Sequence, residues 1–151
     1  IVGDSPLFPD YVQNLKSTTD PRIHFLGFVF DEPYRQLCAH AYAYVQPSLV
    51  EGTSPALLAA MGAGNCVIVS SIPENQETIG DAGLSFTSDD VADLCRVLQT
   101  AVDDWPLVQQ YRRKARQRIE EGYNWDTITS KHEAIYQTIT GSGQLSLELG
   151  T

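Results

Sequence analysis

The chain has 151 residues, 42% of them apolar, and a formal net charge of −9. That length and apolar share suffice for one globular domain with a real core, and the acidic balance excludes a nucleic-acid polymer as partner, since phosphate backbones select a basic surface. Cys38, Cys66 and Cys95 are widely spaced with no Cys-x-x-Cys pair, which speaks for a reduced, cytoplasmic protein and against a disulfide framework or a zinc site.

In chain order, Ile1-Val2-Gly3-Asp4 reads as the end of a buried strand entering a loop, with no initiator Met before it. The chain is therefore expected to be cut from a longer protein. A modest helix is expected over 7–17. Residues 22–30 alternate and are rich in aromatics, which predicts a strand with Gly27 near its end. A short helix follows over 31–40, capped by Asp31 with Pro33 in its first turn. Ala43 to Gln46 is an apolar strand, and 55–61 is a helix with Ser54 as N-cap and Pro55 in its first turn. The run from Gly52 to Pro73 carries no charge, yet Pro55, Gly62, Gly64 and Asn65 interrupt it, so it does not read as a membrane span.

Cys66 to Ser70 is a continuous apolar run, as in a strand covered on both faces. Leu84 to Phe86 is a short strand. Helices are expected over 89–102, capped by Ser88 or Asp89, and over 106–121 and 125–139. Residues 1–140 are expected to fold together, with 141–151 a loose tail. Strands alternating with helices imply βαβ units and a parallel sheet, whose central strands are expected at 43–46 and 66–70. Ligands in such sheets sit beyond the carboxyl ends of the strands, which places the loops at Gly27-Phe28-Val29, 47–54 and 71–77 around one crevice.

Half of the ten basic residues, Arg112, Arg113, Lys114, Arg116 and Arg118, fall in one stretch. Tyr111, Ala115 and Ile119 recur there every four residues, so the bases are expected on the solvated face of an amphipathic helix. A membrane-surface patch is the other reading of that stretch. His24, His40 and His132 are scattered and read as packing or surface residues. Asp89-Asp90 and Asp103-Asp104 sit at helix ends, where capping explains them without a metal. No Ser-His-Asp arrangement, Gly-x-x-x-x-Gly-Lys loop or zinc-ligand spacing is present.

The run Glu51-Gly-Thr-Ser-Pro-Ala-Leu-Leu-Ala-Ala-Met-Gly-Ala-Gly64 carries the most functional information. It sets a carboxylate beside a helix start whose free N–H groups and dipole suit a phosphate. The plainer reading is a buried helix with Glu51 solvated in its loop. Around the run stand Ala43-Tyr-Val-Gln-Pro-Ser48, Gly64-Asn-Cys-Val-Ile-Val-Ser-Ser71, Glu77 and Gly80-Asp-Ala-Gly83. This ordered series resembles the carboxyl-terminal, donor-binding domain of family 4 glycosyltransferases, whose GT-B fold has two facing Rossmann-like domains. The agreement runs from about Ile1 to Tyr136.

The resemblance implies an α/β, Rossmann-like three-layer domain with a parallel sheet, lacking its first strand and helix. It implies sugar transfer with retention from a nucleotide diphosphate sugar to a glycan or lipid-linked acceptor, with no metal and no cofactor. Glu51 is then the catalytic position, accepting hydrogen bonds from sugar hydroxyls. The N–H groups of Thr53 and Ser54 face the diphosphate. Gly27 and Phe28 lie near the nucleobase, and Ser48, Gly52, Leu58 and Ala59 complete the donor site. Glu77 matches the family's Pro-Glu segment, as a ligand contact or as a tie on the loop before Ile79.

Two departures stand out. The family's second carboxylate is replaced by Ala59, and the proline comes one place early, at Pro55. The implied partners are the nucleotide-sugar donor, an amino-terminal acceptor domain of the same protein and, for the whole protein, peripheral contact with the inner face of a membrane. A degenerate scaffold domain and a GT-B sugar-nucleotide epimerase are the alternatives.

Overall fold

Four helices start where a side chain takes up a backbone N–H that has no partner within the helix. Ser54 accepts from Leu57 N, Asp90 from Asp93 N, Asp104 from Leu107 N and Asn124 from Thr127 N. These caps open α3 (Pro55–Gly62), α5 (Val91–Asp103), α6 (Trp105–Gly122) and α7 (Trp125–Ile139). The other elements of the computed structural model, which describes residues 1–141, are α1 (Pro9–Lys16), α2 (Asp31–His40), β1 (Ala43–Gln46), β2 (Cys66–Ser70), α4 (Pro73–Ile79) and β3 (Leu84–Phe86). All but one residue of the expected tail lie outside the described residues.

The chain divides into two compact units. The first, Ile1–His40, holds α1 and α2. The strand expected over 22–30 does not form. The segment is joined to residues 1–3 by Leu26 N to Ile1 O at 2.9 Å, Gly3 N to Gly27 O at 2.7 Å and the terminal amine to His24 O at 2.6 Å. Pairing over three residues leaves one isolated bridge, Gly3 with Gly27. Ile1 and Val2 are exposed, not the end of a buried strand.

From Ala41 onward the chain builds a parallel sheet in the order β1-β2-β3. Ala43 aligns with Cys66 and Gln46 with Val69; Ile68 aligns with Leu84 and Ser70 with Phe86. Only β2 is central. β1 is an edge strand among the described residues, which corrects its expected central place and agrees with its partial burial.

All five residues of β2 are buried, and its alternation divides the core in two. Val67 and Val69 pack with Leu57, Ala60 and Met61 of α3, with Ile79 and Ala82, and with Ala115 of α6. Cys66 and Ile68 pack with Phe86, with Val97 and Ala101 of α5, and with Val108 of α6. Helices thus cover both faces of the sheet, with α6 contributing to both layers. Burial in this second layer pushes the Cys66 thiol up to about 11, so it stays protonated. Among the described residues no helix is long and apolar enough to cross a membrane.

The segment 71–77, expected as a loop, is mostly α4. Its N-cap Ile72 has extended backbone and Pro73 stands in its first turn, where its missing N–H costs no intrahelical bond.

The basic stretch also differs from expectation. Ala115 is buried and Tyr111 and Ile119 pack against the core as the spacing requires, but three of the five bases bridge to other elements. Arg112 Nε donates to Gly64 O at 2.8 Å, Lys114 pairs with Asp81 at 2.6 Å, and Arg118 donates to the carbonyls of Thr78 and Glu77. Arg113 and Arg116 alone are exposed as expected. α5 is capped by Asp90 in place of Ser88 or Asp89, and Asp104 caps α6.

Candidate functional site

β1 ends at Gln46, and the chain then turns through Pro47-Ser48-Leu49-Val50 to Glu51 before α3 begins. Glu51 is half-buried, and one of its oxygens is tied inward. Oε1 accepts from Ser48 Oγ at 2.7 Å and from Gln46 Nε2 at 3.3 Å. Oε2 takes no hydrogen bond among the described residues. Two donors on one oxygen fix the carboxylate's plane and leave the other oxygen free for an incoming donor.

Next to it, Ser54 is buried and its Oγ caps α3. The N–H groups of Gly52, Thr53, Ser54 and Ala56 donate to no acceptor among the described residues. Gly52, Thr53 and Ala56 are exposed, while Ser54 between them is buried. Four free N–H groups at the positive end of a helix can receive an anion. The carboxylate and the helix start are thus side by side, as the motif implied.

The support beneath them was not legible as a site. Gln46 is 6% exposed and uses its whole hydrogen-bonding capacity. Its Oε1 accepts from Tyr44 Oη at 2.9 Å and Ser54 Oγ at 3.1 Å; its Nε2 donates to Glu51 at 3.3 Å and to Asn75 Oδ1 at 3.4 Å. Asn75, also buried, donates to Ser70 O at 3.3 Å and Ser70 Oγ at 3.0 Å. Ser70 Oγ donates in turn to the carbonyl of Ser48. The carboxyl ends of β1 and β2, the 47–54 loop and α4 are therefore joined by one polar network. Its only sequence signal is a set of polar residues where the pattern is otherwise apolar and buried.

Leu58 is half-buried on α3 and Ala59 is exposed on the same helix, so Ala59 does not face the core. Gly27 and Phe28 belong to the first unit, where Gly27 has φ +63° and Phe28 stacks on Phe30 with ring centroids 6.0 Å apart. Glu77 is exposed within α4, and its carbonyl is what the structure engages, through Arg118.

The Gly80–Gly83 motif has a packing explanation. Gly80 ends α4 with φ +54°, and a Cβ there would stand 2.8 Å from the Arg118 guanidinium. A Cβ on Gly83 would meet Val67 Cγ2 at 2.7 Å. Both glycines are set by close approach, away from Glu51.

Residues 1–104 match a protein family described as glycosyl transferases group 1. The chain is 32% identical over 126 residues to the O-antigen chain mannosyltransferase B of Escherichia coli, covering 82% of this chain and 32% of that protein. It is 30% identical over 114 residues to a glycogen synthase of Mycobacterium tuberculosis, covering 74% of this chain and 28% of the relative. Among solved structures, Anabaena HepE in complex with UDP superposes with a TM-score of 0.80 at 23% identity, over 93% of this chain and 40% of that one. The chain spans about a third of the length of the curated relatives it matches.

Proposed function

The chain belongs to the group 1 glycosyl transferases, and we propose that it is the donor-binding half of a retaining enzyme that takes sugar from a nucleotide diphosphate sugar. Its parallel α/β architecture is that of a GT-B glycosyltransferase domain. The observation that carries the reading is a carboxylate with one oxygen locked inward by Ser48 and Gln46 and the other free, beside a capped helix start with unused N–H groups.

On this reading the free oxygen of Glu51 accepts hydrogen bonds from sugar hydroxyls, which donate where an ionised carboxylate can only accept. The N–H groups at residues 52–54 and 56, with the α3 dipole, stabilise the charge that grows on the diphosphate as the glycosidic bond breaks. Glu51 thus holds the sugar in place while the helix start takes up the leaving group. An acceptor, glycan or lipid-linked, and the base that serves it belong to an amino-terminal domain in this proposal, as does peripheral contact with a membrane. With one reactant held and the other unplaced, the orientation that makes transfer fast is absent. The 151-residue chain alone is therefore expected to bind donor weakly and transfer nothing.

Calorimetric titration with a panel of nucleotide sugars, beginning with uridine diphosphate sugars, tests this. Weak binding that Glu51→Ala reduces about tenfold is the expected result, from the loss of a charged hydrogen-bond acceptor. Affinity unchanged in a folded Glu51→Ala variant would overturn the site assignment, and turnover by the chain alone would overturn its incompleteness. A second reading, a scaffold domain that no longer binds donor, draws on the exposed methyl of Ala59 where the family carries a carboxylate. Absence of binding across the whole panel would favour it.

A further inference from the structure

Four elements meet at one buried amide, and this arrangement exceeds what the α/β fold requires. Gln46 closes β1, yet its side chain contacts the loop carboxylate Glu51, the α3 cap Ser54 and Asn75 of α4, as well as Tyr44 two residues earlier on its own strand. We propose that Gln46 is a positioning residue for the donor site: it holds Glu51 so that the free carboxylate oxygen and the N–H groups of α3 reach one ligand together. The inference rests on the donor-binding reading and adds to it the device that sets the spacing between the sugar and diphosphate contacts.

The chemistry suits that role. A glutamine can donate twice and accept twice, and here all four capacities are used inside the protein. Gln46 therefore offers nothing to a ligand itself. Its acceptor side fixes Ser54, whose hydroxyl donates to Gln46 and accepts from Leu57 N at 3.3 Å. Its donor side fixes Glu51. A single rigid amide plane, almost wholly buried, thereby couples the carboxylate to the helix start. Ser48 supplies the second donor to Oε1, and its carbonyl is held by Ser70, so the loop cannot swing without breaking both ties. A polar residue kept in this position only for packing would not need to bridge the two halves of a ligand site.

Gln46→Glu tests the proposal with little change of shape. It keeps acceptor oxygens for Tyr44 and Ser54 and removes the N–H₂ that holds Glu51; because it also sets a second carboxyl beside Glu51, the uncharged Gln46→Met is measured with it and must show the same result. Nucleotide-sugar affinity, read by calorimetric titration with the donor that binds the unmodified chain, is expected to fall about threefold to tenfold, no further than Glu51→Ala takes it. The decisive arm is a double-mutant cycle with Glu51→Ala, with melting curves taken in parallel. If Gln46 acts through Glu51, its replacement costs less than twofold once the carboxylate is gone.

Additive losses, or an unchanged affinity in folded Gln46→Glu, would overturn the inference and leave the donor-binding reading standing. Glu51→Ala without effect on affinity would overturn the reading itself and the inference with it. Should Gln46→Glu fold poorly, Ser48→Ala removes the other donor to Oε1 from a half-buried loop and must show the same non-additivity with Glu51→Ala.

Discussion

At position 59, about one helical turn after Pro55, the chain carries an exposed methyl group where the resembling family carries a carboxylate. Exposure removes the main objection to restoring the acid, since no carboxylate would be buried. Ala→Glu costs little in helix propensity. Ala59→Glu is therefore expected to leave the melting temperature nearly unchanged and to tighten nucleotide-sugar binding by about tenfold to a hundredfold, the worth of a hydrogen bond to a charged group. Calorimetry beside a melting curve checks both halves, and an unchanged affinity would mean that no hydroxyl of the ligand reaches this face. Residues such as Ser54 and Pro55 were legible because capping is local: the groups that interact lie within four positions of one another. Gln46 and Asn75 were not, because their contact joins positions 29 apart and depends on how β1 and α4 are placed.

Between elements, the tie from α6 to α4 shows how one side chain dictates another's absence. Arg118 Nε donates to Thr78 O at 2.6 Å and its terminal nitrogen to Glu77 O, satisfying carbonyls at the carboxyl end of α4. Gly80 must be small to admit that guanidinium and must tolerate φ +54°. Arg118→Ala is expected to cost about 1.5–3 kcal/mol, the range for hydrogen bonds made by a charged group. Gly80→Ala should destabilise as well, but by less in the Arg118→Ala background, where only the backbone strain remains. Denaturant titration of the four proteins gives the coupling; strict additivity would show that the guanidinium simply moves aside. The same scale explains the failed strand over 22–30. Alternation is a property of one segment, whereas a ladder needs an equally long neighbour, and here the pairing ends after three residues. The long apolar run of β2 was legible because both of its faces are covered.

Across the whole molecule, surface carboxylates set the response to acid. Asp4, Asp20 and Asp81 are held below their ordinary value of 3.8 by hydrogen bonds from Lys16, Arg22 and Lys114, and Asp93 by the backbone N–H of Thr87. A carboxylate with a depressed value in the folded state stabilises the fold above its unfolded value and loses that contribution as pH falls through the folded one. The net charge of −9 works in the other direction at neutral pH, since self-repulsion eases as the chain approaches its isoelectric point near 4.6. The melting temperature is expected to be highest near about pH 5 and to fall below about pH 4. Adding salt should flatten the profile, because these pairs are exposed and screened. A melting temperature still rising at pH 3 would show that the ion pairs contribute nothing.

The sense of the hydrogen bonds around Gln46 has one more consequence. Ser70 presents a main-chain carbonyl to Asn75, which must answer with its N–H₂ and so turn its oxygen toward Gln46. Gln46 must then present its own N–H₂ to Asn75 and, by the same orientation, to position 51. The polarity felt by residue 51 is inherited from the backbone of β2, and no rotation of the intervening amides reverses it. Glu51→Gln is for that reason no silent isostere: the new amide must turn its oxygen inward and its N–H₂ outward, facing the ligand with a donor where the native chain has an acceptor. It should weaken nucleotide-sugar binding at least as much as Glu51→Ala does, and calorimetric comparison of the two variants reads that inversion directly.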